Sequence, residues 1–102
     1  MSRYTLSPLA EGDLDDIGAY TRREWGELQC ARYLDLLEDA CMLLAHTPHL
    51  GRACDNIRPG LSRHETGRHV VFFRRLPDGI RVIRFLHERM LPEMHDLEDD
   101  DD

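Results

Sequence analysis

Apolar residues recur every three or four positions along residues 9–25, near the start of the chain. The spaced set is Ala10, Leu14, Ile17, Thr21 and Trp25. This spacing places one nearly apolar face along a helix. Ser7 and Pro8 precede the stretch as an N-cap and a proline at the first helical position, and Gly26 follows as a natural stop. The pattern therefore predicts a first helix over about 9–25.

A second stretch with helical spacing covers residues 27–46. Its apolar line consists of Ala31, Leu34, Leu37, Cys41 and Leu44. We predict a second helix over about 27–46, since charged side chains fall on the far side of this line. Because Gly26 alone separates the two apolar-faced helices, they are expected to form an antiparallel hairpin.

From residue 61 onward the apolar pattern becomes that of β-strands. Residues 70–73 are a dense run of β-branched and aromatic side chains, and residues 80–86 alternate. Strict alternation places Ile80, Val82, Arg84 and Leu86 on one face, and Arg81, Ile83 and Phe85 on the other. The segment 77–79 is a Pro-Asp-Gly turn, which predicts a hairpin of strands at about 69–75 and 80–87. Residues 61–66 and Arg3–Leu6 supply two further strands.

The resulting element order is β-α-α-β-β-β. It predicts an α+β fold in which the helical hairpin packs on one face of a small antiparallel sheet. A length of 102 residues suits a single domain, which we place at residues 1–92. Residues 93–102 hold seven acids and no base, and end in four aspartates. This run is expected to be a flexible acidic tail, because such like-charged segments repel themselves.

The net charge of −7 conceals an uneven distribution along the chain. Residues 1–50 carry four arginines and nine acids, whereas residues 51–92 carry nine arginines and four acids. The arginines of the predicted sheet are Arg63, Arg68, Arg74, Arg75, Arg81, Arg84 and Arg89. Three interpretations stay open: a nucleic-acid surface, strand-face arginines paired with nearby acids, or a docking site for an acidic protein segment.

The histidines and cysteines do not form a recognisable metal or disulfide pattern. His46 and His49 are separated by Pro48, and no third ligand stands at a zinc-site spacing, so no metal or cofactor is expected. Three cysteines without a C-x-x-C pair argue against a disulfide framework and for the cytoplasm. Cys41 belongs to an apolar helix face, whereas Cys54 in a loop is a candidate for exposure. No apolar run reaches the roughly 18 residues of a membrane span, and no secretory signal is present.

The end of the last predicted strand combines Arg84, His87 and Arg89. A histidine beside arginines is suited to general acid–base work on a phosphodiester. Against this reading, no tyrosine or lysine stands nearby in the sequence. A surface histidine without a catalytic role is the simpler interpretation.

Several short motifs, taken in order, resemble the ParE-type toxins of the RelE/ParE superfamily. They are Ser7–Ala10, Asp13–Ile17, Trp25-Gly26, His46–Pro48, Gly51-Arg52, Ile57–Gly60, Gly67–Arg74 and Ile83–Met90. Each motif alone is weak, but their order and spacing span residues 3–92. The predicted element order agrees with the fold of this superfamily.

The resemblance implies the toxin of a bacterial type II toxin–antitoxin module of the plasmid-stabilisation kind. Toxins of this branch poison DNA gyrase without being enzymes, and a ParD-like antitoxin neutralises them by filling a groove between helices and sheet. The groove candidates here are Leu14, Ile17, Trp25 and Leu37. The candidates for pairing with an acidic antitoxin are Arg63, Arg68, Arg74 and Arg81. Those for gyrase contact are Arg84, His87, Arg89 and Met90. Sequence-specific DNA binding by this chain alone is not expected.

Two alternatives accompany this reading. The related RelE branch cleaves mRNA on the ribosome, and His87 with Arg84 would then be catalytic. The absence of lysine, and of any tyrosine after Tyr33, favours the ParE branch. The other alternative is an inactive homologue that only binds antitoxin. We also expect residues 98–102 to fold back loosely over the arginine face and weaken binding of anionic partners at low salt.

Overall fold

The computed structural model describes residues 3–98, and its elements follow the predicted order with one short addition. The strands are β1 (Arg3–Leu6), β2 (Arg52–Ala53), β3 (Leu61–Thr66), β4 (His69–Leu76) and β5 (Gly79–His87). The helices are α1 (Pro8–Trp25) and α2 (Glu27–His46), with short 3-10 turns at Pro48–Leu50 and Pro92–Met94. In the described residues, neither long helix is apolar enough to cross a membrane.

The helical hairpin begins and turns where the sequence predicts. The Ser7 hydroxyl accepts the backbone N–H of Ala10 at 3.0 Å and donates to the carbonyl of Ile83 at 2.6 Å. It therefore caps α1 and fastens the start of the helix to β5. Gly26 has φ +88° and donates its N–H to the carbonyl of Arg22, which ends α1 and lets α2 begin at the next residue.

The five strands form one sheet in the order β1-β5-β4-β3-β2. All pairs are antiparallel except β1 with β5, which is parallel; the long connection through the helical hairpin and three strands permits this arrangement. The prediction of an antiparallel sheet is therefore right for the other pairs and wrong for β1 with β5. β2 was not predicted, since a two-residue strand carries no periodic apolar signal.

The sheet is buried on both faces, by two separate clusters of apolar side chains. The helix-side cluster consists of Ala10, Ile17, Leu37, Cys41, Leu44, Ala45, Val71, Phe73, Ile80, Val82 and Phe85. The opposite cluster consists of Cys54, Leu61, Val70, Phe72, Ile83, Leu86 and Leu97. A sheet packed against one layer of helices was expected, and the second covering layer is made by the loop after β2 and by the C-terminal segment.

A β-bulge in β5 corrects the predicted alternation of faces. Phe72 pairs with Arg84 and Phe73 pairs with Val82, so Ile83 is the extra residue of the bulge. One inserted residue exchanges the faces of everything beyond it. Phe85 therefore joins the helix-side cluster and Leu86 the opposite cluster, contrary to the simple alternation.

The acidic C-terminal segment is packed as far as Glu98. Leu97 is 2% exposed within the opposite cluster, and Asp96 and Glu98 on either side contact Arg84 and Arg58. The prediction of a flexible tail did not foresee this packing, in which one leucine supplies an apolar anchor among the acids. The four terminal aspartates lie outside the described residues.

Cys54, which the sequence made a candidate for exposure, is buried at 4% exposure. The loop after β2 and the C-terminal segment cover it within the opposite cluster.

Candidate functional site

An apolar cavity of about 240 Å³ opens between the two helices and the β1–β5 edge. Its lining residues are Tyr4, Leu6, Leu14, Asp15, Leu34, Leu37, Glu38, Cys41 and Phe85. Of the predicted groove residues, Leu14 and Leu37 line this cavity, while Ile17 is buried in the core beside them. Trp25 is 70% exposed near the tip of the hairpin, 11 residues or about 16 Å of helix from Leu14. The cavity therefore gathers two of the four residues predicted for the groove.

The cysteine in this cavity is not a nucleophile. Burial above all, with the neighbouring Glu38 carboxylate adding to it, raises the pKa of Cys41 to about 12. The side chain is consequently a neutral thiol at physiological pH, and it serves as a small apolar residue of the core. This agrees with the sequence-based interpretation of Cys41.

The predicted arginines lie away from the cavity, on and beside the face of the sheet that the helices do not cover. Arg74 pairs across the strands with both Leu61 and Arg81, and Arg63 pairs with Phe72. Directly opposed residues share a face, and Leu61 and Phe72 belong to the opposite cluster. Arg63, Arg74 and Arg81 thus form one arginine face. Arg68 lies apart, in the turn between β3 and β4, with 74% of its side chain exposed.

Each arginine of that face has a contact within the chain. Arg63 lies over the ring of Phe72 at 5.4 Å, and Arg74 donates to the carbonyl of Pro59 at 2.9 Å. Arg81 lies 3.4 Å from the hydroxyl of Thr5. These contacts hold the guanidinium groups over the sheet. Because the cavity and the arginine face lie on opposite sides of the sheet, a partner that uses both has to wrap around an edge.

The guanidinium of Arg84 is fully engaged in hydrogen bonds within the chain. Its Nε and Nη2 atoms donate to the two carboxylate oxygens of Asp13 at 2.7 and 2.9 Å, and Nη1 donates to the carbonyl of Asp96 at 2.9 Å. The two side chains of the ion pair are 14% and 13% exposed. Hydrogen bonding to Asp13, above all, raises the pKa of Arg84. The prediction placed Arg84 in target contact or catalysis, but its geometry is that of a tie between α1, β5 and the C-terminal segment.

His87 lies in a cluster of ring side chains that the sequence analysis did not assemble. His69 faces His87 across β4 and β5, with their rings edge to face at 5.4 Å. The Tyr33 hydroxyl lies 2.5 Å from Nδ1 of His69 and accepts the N–H of Arg68 at 3.0 Å. No tyrosine stands near His87 in the sequence, but in the fold Tyr33 contacts His69, which in turn contacts His87. Helix α2 brings Tyr33 to the end of the sheet, and only the packing of α2 reveals this.

The electrostatics of this cluster favour the neutral forms of His69 and Tyr33. Burial, together with the charge of the neighbouring His87, lowers the pKa of His69 to about 4. Burial is the main cause that raises the pKa of Tyr33. At neutral pH the Tyr33 hydroxyl therefore donates to a neutral His69 imidazole. Nδ1 of His87 accepts the N–H of Arg89 at 3.1 Å, which leaves Nε2 outside this hydrogen bond.

Next to the ring cluster, the residues at and after the end of β5 form a largely exposed surface. We call Arg68, His87, Arg89, Met90 and Leu91 the β5-end surface. Met90 and Leu91 are 45% and 55% exposed. The backbone carbonyl of Arg68 accepts a hydrogen bond from the N–H of Glu88, which holds Arg68 beside the end of β5. Three of the four residues predicted for target contact lie here, and Arg84 does not. Between residues 3 and 98, no three His, Cys, Asp or Glu side chains come together as a metal site.

Comparison with known proteins gives a consistent set of relatives. Residues 4–92 match the family model described as the ParE toxin of the type II toxin-antitoxin system, parDE. A Mycobacterium tuberculosis protein named Toxin ParE1 is 44% identical over 90 residues, covering 87% of this chain and 92% of its own length. A Caulobacter vibrioides Toxin ParE1 is 40% identical over 97 residues, covering 93% and 98%. An Escherichia coli Toxin ParE is 37% identical over 91 residues, covering 88% of each chain.

A solved structure shares the fold at low sequence identity. It is described as the chromosomal ParDE TA system from P. aeruginosa, and its matching chain superposes with a TM-score of 0.72 at 17% identity. The superposition covers 85% of this chain and 96% of that one. The helical hairpin on a mostly antiparallel five-stranded sheet is thus a known architecture.

Proposed function

The chain belongs to the ParE toxin family of type II toxin–antitoxin systems, and from this premise we propose that it stops bacterial growth by poisoning DNA gyrase. A ParD-like antitoxin neutralises it by direct binding. The toxin acts as a binding protein and not as an enzyme. Because bacterial DNA and gyrase are cytoplasmic, it works in the cytoplasm.

The observation that carries this proposal is the state of Arg84. Cleavage of a phosphodiester beside His87 requires a cation that is free to stabilise charge on the phosphate. All three nitrogens of the Arg84 guanidinium already donate to Asp13 or to the carbonyl of Asp96. Freeing this side chain would leave Asp13 unpaired at the α1–β5 junction. This geometry supports an action by surface contact.

The contact with gyrase is assigned to the β5-end surface. Methionine and arginine are residue types enriched at protein interfaces, and this surface exposes Met90 beside Arg68 and Arg89. His87, Arg89 and Met90 keep their predicted role, and Arg68 and Leu91 join them. Arg84 positions the strand from which this surface emerges.

The antitoxin is assigned to two faces of the toxin. An apolar side chain enters the cavity at Leu14 and Leu37, and acidic residues pair with Arg63, Arg74 and Arg81 on the other side of the sheet. Arg68 at the β3–β4 turn and Trp25 at the hairpin tip extend these two sites. An antitoxin segment that wraps around the toxin satisfies both, which is typical of disordered segments that fold on binding.

One observation favours the second candidate function, ribosome-dependent mRNA cleavage. Tyr33, His69 and His87 bring two imidazoles and a phenol together at the strand end, beside Arg68 and Arg89. In that case His87 is the acid–base residue, because Nδ1 of His69 is already engaged by Tyr33. The experiment below separates the two functions.

The proposal is tested by inducing the toxin in bacteria, alone and together with its antitoxin. The readouts are the DNA damage response, the rate of protein synthesis, and the integrity of transcripts. We expect damage signalling with continued translation, and full rescue by the antitoxin. Early translation arrest with cleaved transcripts contradicts gyrase poisoning, and an absence of toxicity contradicts any activity.

Variants connect the result to the β5-end surface. The double variant H87A/R89A is expected to lower the damage response at least tenfold while antitoxin binding is retained. Arg75→Ala is the matched control, since Arg75 is an exposed arginine at the other end of β4. Equal toxicity of the double variant and the control would rule out the assignment of this surface.

A further inference from the structure

The arginine-bearing face of the sheet is covered by the chain's own C-terminal segment. We call residues 92–98 the strap. Leu97 of the strap is 2% exposed and packs with apolar side chains from three strands. Those strand residues are Leu61, Val70, Phe72, Ile83 and Leu86. Without the strap, this part of the second cluster would face solvent.

The contacts that hold the strap on the sheet lie at residues 96–98. Leu97 is its buried anchor, flanked by the bond from Arg84 to the carbonyl of Asp96 and by the ion pair of Arg58 with Glu98 at 3.0 Å. The ion pair is exposed, with 41% and 60% of the two side chains accessible to solvent. Exposed pairs of this kind add little to stability. The strap is thus held largely by one leucine and by one hydrogen bond to its backbone.

The remainder of the strap covers its site loosely. Met94 is 75% exposed, and a cavity of about 400 Å³ lies between the strap and the loop that follows β2. Its lining residues are Asn56, Ile57, Arg58, Pro92, Glu93, His95 and Leu97. A segment with one anchor over an open cavity can leave without disturbing the helix-side core, which lies on the other face of the sheet.

We propose that the strap occupies, within the free toxin, a binding site for an acidic antitoxin segment that carries a leucine-sized residue followed by an acid. The strap itself shows which chemistry this site accepts: a leucine side chain against apolar strands, a backbone carbonyl on Arg84, and a carboxylate on Arg58. Arg63, Arg74 and Arg81 on the same face provide further cations for a longer acidic segment. Such a segment displaces the strap by offering the same anchor with more ion pairs. This inference rests on the proposed antitoxin partner and adds where one part of it binds.

Exchange of the strap is tested with a peptide of residues 90–98 of this chain, labelled with a fluorophore and added to the full-length protein. In Leu97→Ser the strap loses its anchor, so the peptide is expected to bind this variant at least tenfold more tightly than the unaltered protein. Met94→Ser is the matched control in the same strap and is expected to behave like the unaltered protein. A peptide that itself carries Leu97→Ser should not bind.

A second variant keeps the anchor and so protects the test against loss of folding. Glu98→Arg replaces the exposed ion pair with repulsion from Arg58 while Leu97 stays in place. It is expected to raise peptide affinity several-fold at low salt and less at high salt. If the peptide binds all these proteins equally, or none of them, the strap is a fixed part of the fold and the proposal fails.

The partner is tested by measuring the affinity of the antitoxin for the same proteins. Glu98→Arg and Leu97→Ser are expected to bind it at least fivefold more tightly than the unaltered protein, and Met94→Ser equally. Unchanged or weakened binding by Glu98→Arg would contradict a shared site. Gyrase takes no part in these measurements, so failure of the proposed gyrase target would leave their result standing.

Discussion

At the scale of single residues, the polar contacts near the end of β5 separate positioning groups from exposed ones. Asp13 accepts three hydrogen bonds, two from Arg84 and one at 3.0 Å from the backbone N–H of Phe85. It thereby covers the part of the β5 edge that β1 does not reach. A partly buried guanidinium and a strand N–H both depend on this one carboxylate.

Replacement of Asp13 is therefore expected to be costly. Asp13→Ala leaves Arg84 without its counter-ion and should lower the free energy of unfolding by about 3 kcal/mol, the range for breaking one side of a buried ion pair. The control Asp16→Ala removes an exposed acid from the same helix and should change it by less than about 0.5 kcal/mol. Urea unfolding of both variants provides the comparison, and equal stabilities would show that the Asp13 contacts do not matter for folding.

His69 gives the fold a defined dependence on pH. Its pKa falls from 6.5 in the unfolded chain to about 4 in the folded protein, because burial and the nearby His87 disfavour its charged form. The folded state then binds fewer protons between these values. The stability contributed by neutral His69 is complete above pH 6.5 and is lost as the pH falls toward 4.

The matching measurement compares the unfolding free energies of the unaltered protein and His69→Gln from pH 7.5 to 4.5. The advantage of the unaltered protein should shrink steadily as the pH falls through this window. His49→Gln, an exposed site on the loop after α2, is the control and should follow the unaltered protein. An advantage of His69 that stays constant with pH would show that the ring is not kept neutral by the fold.

At the scale of elements, the sequence predicts what is periodic and misses what depends on one or two residues. Both helices begin and end within one residue of their predicted bounds, because spacing, the Ser7 cap and Gly26 all agree. The bulge at Ile83 and the two-residue β2 leave no periodic signal, so neither could be predicted. The bulge places Arg84 opposite Phe72, on the face of the sheet that the C-terminal segment covers.

The parallel β1–β5 pair depends on the lack of a side chain at Gly79. A Cβ atom at this position would lie 1.7 Å from the carbonyl oxygen of Arg3, so Gly79→Ala must separate the two strands. We expect a loss of at least about 2 kcal/mol in unfolding free energy, as for other substitutions that force a backbone shift. Gly12→Ala in α1 has no atom within 4 Å and should instead stabilise the protein by up to about 1 kcal/mol. Thermal unfolding of the two variants should shift in opposite directions, and a shift in the same direction would contradict this account.

At the scale of the whole molecule, charge is separated between the two layers. Acids predominate on the helical hairpin, while arginines predominate on the sheet and its far face. The division of charge is readable from the sequence, and so is the candidate set of arginines. What the sequence does not show is that the groove residues and the arginine face lie on opposite sides of the sheet. It also does not show that Tyr33 reaches His69, or that Leu97 anchors an otherwise acidic segment.

We expect the toxin to act on gyrase through surface contact and not to cut RNA. This expectation is tested most directly by adding the purified toxin to gyrase, supercoiled plasmid and ATP, and by adding it in parallel to translating ribosomes. The account predicts trapped gyrase–DNA complexes that release broken DNA on denaturation, intact mRNA, and loss of the effect when antitoxin is added. Unaffected gyrase together with mRNA cleaved at the ribosome would contradict it, and would make His87 the catalytic residue to examine.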